Sequence, residues 1–383
     1  MTIRTVMAGV LAAAAVLAAA PTPAEQKIAL AQKSVESKPK NSQGYVDLAL
    51  AYARRARETS DTSFYTKGEQ ALQKAIELDP SNFGARKVEV WLLLGRHEFS
   101  RALDKALELN KRVPDDVLVY GFLTDAYVEL GKYKEAEDAA QWMLNLRPGN
   151  VPALTRTAYL RELFGDFDGA VDAMNMAYTS TSPTEIEDRA WMLTQVGHLR
   201  LMQGRVADAE RVLESALTLF PGYHYALGNM AKVRAAQGRF ADAVKLEEAR
   251  YSAAPHAENL FTLAEALDKA GEKEKAAAAY SEFEKKALAE SKGADNANHE
   301  LVMYYAGYAK KPAEAVRVAK MEAARRKDVH TLHVYAWALF ANGQTADARK
   351  QMEKVLAVGV RDPEVLAHAA KMGRGDAEGA GGF

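Results

Sequence analysis

A small residue returns along this chain at nearly constant intervals. It is glycine or alanine at Gly68, Ala102, Ala136, Ala170, Ala209, Ala243, Ala276, Ala315 and Ala348. The intervals are 33, 34 or 39 residues. A period near 34 means that one supersecondary unit is copied and stacked, so the chain grows by layers and has no single central core. A second ladder lies upstream of the first, at Gly95, Gly131, Gly165, Gly204, Gly238, Gly271 and Gly343. Glycine there suits the left-handed cap that ends a helix. A third ladder of prolines, at Pro80, Pro114, Pro148, Pro183, Pro221, Pro255 and Pro363, closes the units. Each unit therefore reads helix, glycine turn, helix, proline break.

The segment from Val117 to Asn150 places Tyr120, Leu123, Tyr127, Gly131, Tyr133, Ala136, Leu146 and Pro148 on a recognisable pattern, and the segment from Ala190 to Tyr223 repeats it. This pattern resembles the tetratricopeptide repeat family. The resemblance runs over about nine units, roughly Tyr45 to Val358. It implies an all-α, right-handed α-solenoid of helix-turn-helix units that binds partners. It does not say which partners, since one fold serves many functions.

The irregular stretches read as loops. Tyr52 to Gly68 exceeds the repeat and contains RRARETSDTS, so a long turn is expected inside the first unit. TSTSPTE (179–185) and SKGADNAN (291–298) read as insertions between units, the second after a long charged helix. The unit from Asn298 to Lys327 has Lys310-Lys311-Pro312 in place of the turn glycine. EVLAHAAKM after Pro363 reads as a closing helix, which an array needs to cover its last apolar face.

The N-terminus has one arginine, an alanine-rich apolar run from Val6 to Ala20, and small residues before a polar region. This is the pattern of a secretory signal peptide, and the run is short for a membrane span. The expected organisation is a signal segment at 1–24, a solenoid at 25–372 and a glycine-rich tail at 373–383. Export to the periplasm or the exterior of a bacterial cell follows, with no membrane span in the mature chain. There is no cysteine, so packing alone must hold an exported chain of this kind. Lysine and arginine number 50 against 51 aspartate and glutamate, which argues against nucleic acid as the partner.

In the family that the repeats resemble, the first helix of each unit lines the concave face. Taking positions i, i+3 and i+7 of those helices selects Tyr159, Trp191, Thr194, His198, Tyr225, Lys232, Phe261, Glu265, Tyr304, His330, His333 and Trp337 as groove residues. Aromatic anchors among polar groups suit a protein or peptide partner. His330 and His333 are one helical turn apart, but a metal site needs three or four ligands, so no metal or other cofactor is expected. Arg161, Arg200 and Arg234 share one register. They read either as a stripe for an anionic group or as arginines whose stems lie on apolar surface and whose heads reach water or an acid. Phosphate-binding loops, dinucleotide fingerprints, HExxH and GxSxG are all missing, so no enzyme is expected. The expected function is an extracytoplasmic, non-catalytic scaffold. The alternative is an accessory subunit or enzyme component presenting a small ligand or metal in the groove.

Overall fold

The computed structural model describes residues 21–374. The apolar run expected of a signal peptide and the tail from residue 375 lie outside the described residues. The described residues form twenty helices and no strand. The first, α1 (Pro23–Ser37), precedes nine helical hairpins: α2 (Ser42–Thr59) with α3 (Ser63–Leu78), α4 (Phe83–Gly95) with α5 (Phe99–Arg112), and α6 (Val117–Glu129) with α7 (Tyr133–Leu146). Next come α8 (Val151–Leu163) with α9 (Phe167–Ser180), α10 (Ile186–Met202) with α11 (Val206–Leu219), and α12 (His224–Ala236) with α13 (Phe240–Ala253). The last three are α14 (Ala257–Lys269) with α15 (Lys273–Glu290), α16 (Asn298–Ala306) with α17 (Pro312–Arg325), and α18 (Val329–Ala341) with α19 (Thr345–Leu356). The helix α20 (Pro363–Arg374) closes the array, two residues beyond the expected solenoid end.

The small-residue ladder falls on the second helix of every hairpin. Its alanines are 0–3% exposed, because the two helices of a unit cross there and leave room for no larger side chain. α10 faces α11 at Gly197, where an added Cβ would lie 2.6 Å from Leu213 Cγ. Val196 turns the other way and packs with Leu154, Val171 and Met174 of the preceding unit.

Two expectations about turns need correction. The RRARETSDTS stretch is not a long turn: α2 simply continues to Thr59, and only Ser60, Asp61 and Thr62 lie between helices. Ser60 takes the left-handed conformation there, with φ of 51°. In the second unit the left-handed residue is His97, at φ 59°, not Gly95, which ends α4. The insertions after α9 and α15 are where the sequence places them, and Lys310, at φ 52°, fills the missing glycine's conformation between α16 and α17.

The array winds until its passes touch. The α4–α5 turn meets the linker entering α16, with His97 Nδ1 3.7 Å from Asp295 Oδ1. The α6–α7 turn meets the linker entering α18: Lys327 N–H donates to Glu129 O at 2.9 Å, and Val329 N–H donates to Tyr133 Oη at 2.8 Å. The α8–α9 turn meets the linker entering α20, so closely that a Cβ on Gly165 would lie 2.7 Å from Gly359 O. Near the N-terminus, Arg54 and Arg57 of α2 pair with Glu185, Glu187 and Asp188 at the start of α10. The concave side is therefore a lumen bordered by a seam where the passes meet, and that seam is apolar as well as charged, since Val128, Leu160 and Leu163 share one buried cluster with Val329 and Val360.

Candidate functional site

The lumen is lined by the first helices, but on a different stripe from the one expected. On α8 and α10 a cavity of 270 Å³ is bounded by Thr155, Ala158, Tyr159, Glu162, Met174, Trp191, Gln195 and Leu199. On α10 the inward positions are 191, 195 and 198, an i, i+4, i+7 stripe. Stepping by three rather than four selects the core-facing neighbour instead, since 3.6 residues complete a turn.

The difference decides which expected residues face the lumen. Tyr159 is 36% exposed and Trp191 half-buried, and both bound the cavity. His198 is half-buried beside them, with Nε2 2.9 Å from Glu162 Oε1. Glu265 is half-buried and Lys232 exposed. Tyr225 is half-buried, its ring 3.9 Å from that of His224, next to the α2 seam contact. His330 is half-buried at the start of α18.

Five groove assignments are corrected. Thr194 is wholly buried and donates its hydroxyl to Ala190 O at 2.8 Å. Phe261 is 7% exposed and packs on Phe283 of its own hairpin, with centroids 5.1 Å apart. Tyr304 turns toward α15, donating to Glu284 Oε2 at 3.2 Å and stacking near Tyr280. His333 and Trp337 are buried under α20: His333 Nε2 lies 2.8 Å from His368 Nδ1, and the Trp337 ring lies parallel to that of His368 at 3.6 Å. The closing helix takes the place on α18 that a partner would need.

The arginine register also resolves. Arg161 pairs with Asp166 at 3.2 Å, Arg200 donates to Gln203 Oε1 at 2.8 Å, and Arg234 holds Glu210 and Gln237. Each guanidinium serves an acid or amide nearby, and no free anion-binding stripe remains in this register. Among the described residues, no group of three or more histidine, aspartate or glutamate side chains is placed to hold a metal ion.

Charge distinguishes the lumen. Burial pushes the Glu300 carboxyl up to about 8, with Glu258 and Glu265 adding repulsion. Burial likewise raises Glu265 to about 7, helped by Glu364 and opposed by Lys269 and Lys232. Tyr159 lies where the cavity meets the seam, and it also borders a second cavity of 260 Å³ with His97, Asp125, Glu129 and Arg326. At that point Arg326 serves two carboxylates, Glu129 Oε2 at 2.5 Å and Asp328 Oδ2 at 3.1 Å. Burial opposes charge on Asp328, yet Arg326, the nearby His299 and His330, and the Thr331 hydroxyl hold it down to about 2. Burial raises Glu129 to about 7 despite Arg326, because Asp328 and Asp125 repel a second negative charge.

The seam residues Glu129, Tyr133, Arg326 and Asp328 are the functional candidates that sequence reading missed. Their contacts span about 197 positions, for example Glu129 with Arg326, beyond any local periodicity. One signal was present: the proline ladder lapses between Pro255 and Pro363, where the linkers meet the preceding pass. Proline could not replace Lys327, whose N–H crosses the seam.

Comparison with known proteins places the architecture. Models of the tetratricopeptide repeat match residues 123–185 and 200–250. No curated protein matches the sequence. Among solved structures, the human IFIT1 dimer with PPP-AAAA is similar at a TM-score of 0.52 and 13% identity, over 85% of this chain and 85% of that one. The APC/C hetero-tetramer Cut9–Hcn1 gives 0.49 at 15% identity, over 85% of this chain, which spans 55% of its counterpart. PilW, a type IV pilus biogenesis factor, gives 0.45 at 16% identity over 53% of this chain and 92% of that one. At these identities the likeness concerns fold alone. With nine stacked hairpins at a period near 34 residues and repeat models matching within them, the chain is a tetratricopeptide repeat protein.

Proposed function

We propose that this protein is an exported, non-catalytic scaffold that holds a protein or peptide segment against the lumen wall formed by α8 and α10. The observation that carries the reading is the cavity in which Tyr159, 36% exposed, and the half-buried Trp191 stand beside Glu162 and Gln195. Large aromatic surfaces that are not fully covered, with polar groups at their edge, favour an inserted side chain or chain segment. Nucleic acid suits this lining poorly, since Glu162 is its one charged side chain and no lysine or arginine lines it. The export part rests on the N-terminal sequence. A role in assembling envelope or surface complexes fits a scaffold in that compartment.

The test is capture from envelope extract with wild-type protein and with Tyr159→Ala, Trp191→Ala and Trp142→Ala. Trp142 is 44% exposed on α7, outside the cavity, and serves as the control. A binding hot spot is typically worth ~2 kcal/mol or more, about a thirtyfold loss in affinity. The expected result is that partners held by wild type and by Trp142→Ala are lost with either lumen variant. Loss with Trp142→Ala alone would move the binding surface to the outer side.

A further inference from the structure

Two cavities meet at Tyr159. It follows Asp125 by 34 residues, one repeat, so the two hold the same position of successive first helices. Both border the cavity of 260 Å³, and the cavity of 270 Å³ between α8 and α10 lies on the other side of Tyr159. Each is smaller than the roughly 300–1,000 Å³ of small-molecule pockets, so each suits one side chain better than a cofactor.

Their linings differ in chemistry. Ala158, Met174, Leu199 and Trp191 make the larger cavity mostly apolar. The smaller one sets His97, Asp125, Glu129 and Arg326 beside Tyr159. The charges there do not balance. Asp125 Oδ2 lies 2.5 Å from Arg156, Glu129 and Asp328 share Arg326, and Asp295 lies 3.7 Å from His97. Four carboxylates thus meet two guanidinium groups. Burial holds His97 below the ordinary imidazole range, so it adds little positive charge at neutral pH. The site is open as it stands, since the Asp125 and His97 side chains are each 37% exposed and Tyr159 is 36% exposed.

We propose that the cavity of Asp125, Glu129 and Tyr159 receives a lysine or arginine side chain of a bound protein segment, while an apolar side chain of the same segment enters the cavity beside Trp191. The segment is read as a basic–apolar pair. This rests on the scaffold reading above and adds the chemistry of the partner. Asp125 has an exposed edge that can accept the cation's N–H groups, and Tyr159 offers its ring face. Glu129 gains a second counter-charge, which relieves its repulsion with Asp125 and Asp328. An acidic side chain would meet the same carboxylates and be rejected. In an extended segment, residues i and i+2 point to one side about 6.6 Å apart, which leaves room for a tyrosine between them.

Selection of a random heptapeptide library on the full chain tests the pair. Wild type should enrich peptides that carry lysine or arginine two positions from leucine, methionine or phenylalanine. Asp125→Asn keeps the side-chain shape and an oxygen for Arg156 while removing one charge. The best peptide should bind that variant about tenfold more weakly, and Glu129→Gln likewise. Replacing the peptide's basic residue with glutamine should cost about tenfold in wild type and clearly less in Asp125→Asn, a coupling that general loss of structure does not produce. Agmatine, a guanidinium without a peptide chain, should compete only at a concentration at least about thirtyfold above that of the peptide, because it leaves the apolar cavity empty.

Enriched peptides that lack a basic residue but are lost with Trp191→Ala would overturn the basic pocket and leave the scaffold reading standing. Peptides indifferent to Trp191→Ala as well as to Asp125→Asn, or no enrichment at all, would overturn both. Competition by agmatine at the peptide's own concentration would make this a site for small amines and refute the paired reading.

Discussion

Gly197 offers a test of the packing register with a change of sign built in. A Cβ at Gly197 would lie 2.6 Å from Leu213 Cγ and 2.7 Å from its Cδ2. Carbon atoms in contact prefer about 3.5–4.0 Å, so one side must yield by about 1 Å. Leu213 is wholly buried and Cγ is not the free end of its side chain, so the shift falls on the helix pair. Overpacking of this kind costs about 1–3 kcal/mol. Alanine in place of helical glycine returns about 1 kcal/mol through propensity. Gly197→Ala should therefore destabilise the α10–α11 hairpin by roughly 1 kcal/mol net. Leu213→Ala costs more, about 2–5 kcal/mol, because it opens a cavity. In that background the new methyl has room, so Gly197→Ala should now stabilise by about 1 kcal/mol. A nine-unit array need not unfold in one step, so the readout is native-state hydrogen exchange of α10 and α11 amides in all four chains. The same sign for Gly197→Ala in both backgrounds would refute the claim that these helices cross at Gly197.

Further outcomes follow from buried titratable groups and from the chain's start. Glu300 has a folded-state value of about 8, above its unfolded value, so the folded chain holds its proton more tightly and stability falls as pH rises from about 4.5 to about 8. Glu300→Gln should flatten that fall and gain on wild type by of order 1 kcal/mol at pH 9 relative to pH 5; parallel pH profiles of melting temperature would contradict it. Burial lowers His333 to about 3 and His368 to about 4, so their stabilising contribution is full above about 6.5 and is lost as pH falls through those values. Acidification from pH 7 to pH 4 should release α20 first, seen as faster exchange in Pro363–Arg374, and His368→Phe should delay that release. Thr22 caps α1 and Ala24 N–H donates to Glu58 Oε1 at 3.0 Å, so under the export reading mass spectrometry of the mature protein should find a start at Pro21 or Thr22. A start at Glu25, which the expected 1–24 signal segment implies, would remove both contacts, and finding it would refute the earlier start.

The hairpins and their order were legible in the residues themselves. Ala102 through Ala348 are read correctly because a helix crossing tests one position for size alone, and the answer repeats in every unit. The closing helix was legible for the same reason, since Val365 and Met372 continue an apolar face that must be covered. The lumen was legible only in part. Trp191 and His198 lie on the stripe common to both readings, while Thr194 in place of Gln195 is an error of one residue. On a helix that error is about 100° of rotation, enough to exchange core for surface.

Tertiary structure alone decided the rest. His333 and Trp337 look like groove residues until α20 is seen lying on them, because what covers the last hairpin depends on where the chain turns after Gly359. His97 in place of a turn glycine acquires a meaning only when Asp295 comes within 3.7 Å. The seam depends on the pitch of the whole coil, the sum of small rotations between successive hairpins. Repeat period specifies each hairpin and its immediate neighbour, but a slight change in rotation per unit, accumulated over six units, decides whether Arg326 meets Glu129 or solvent.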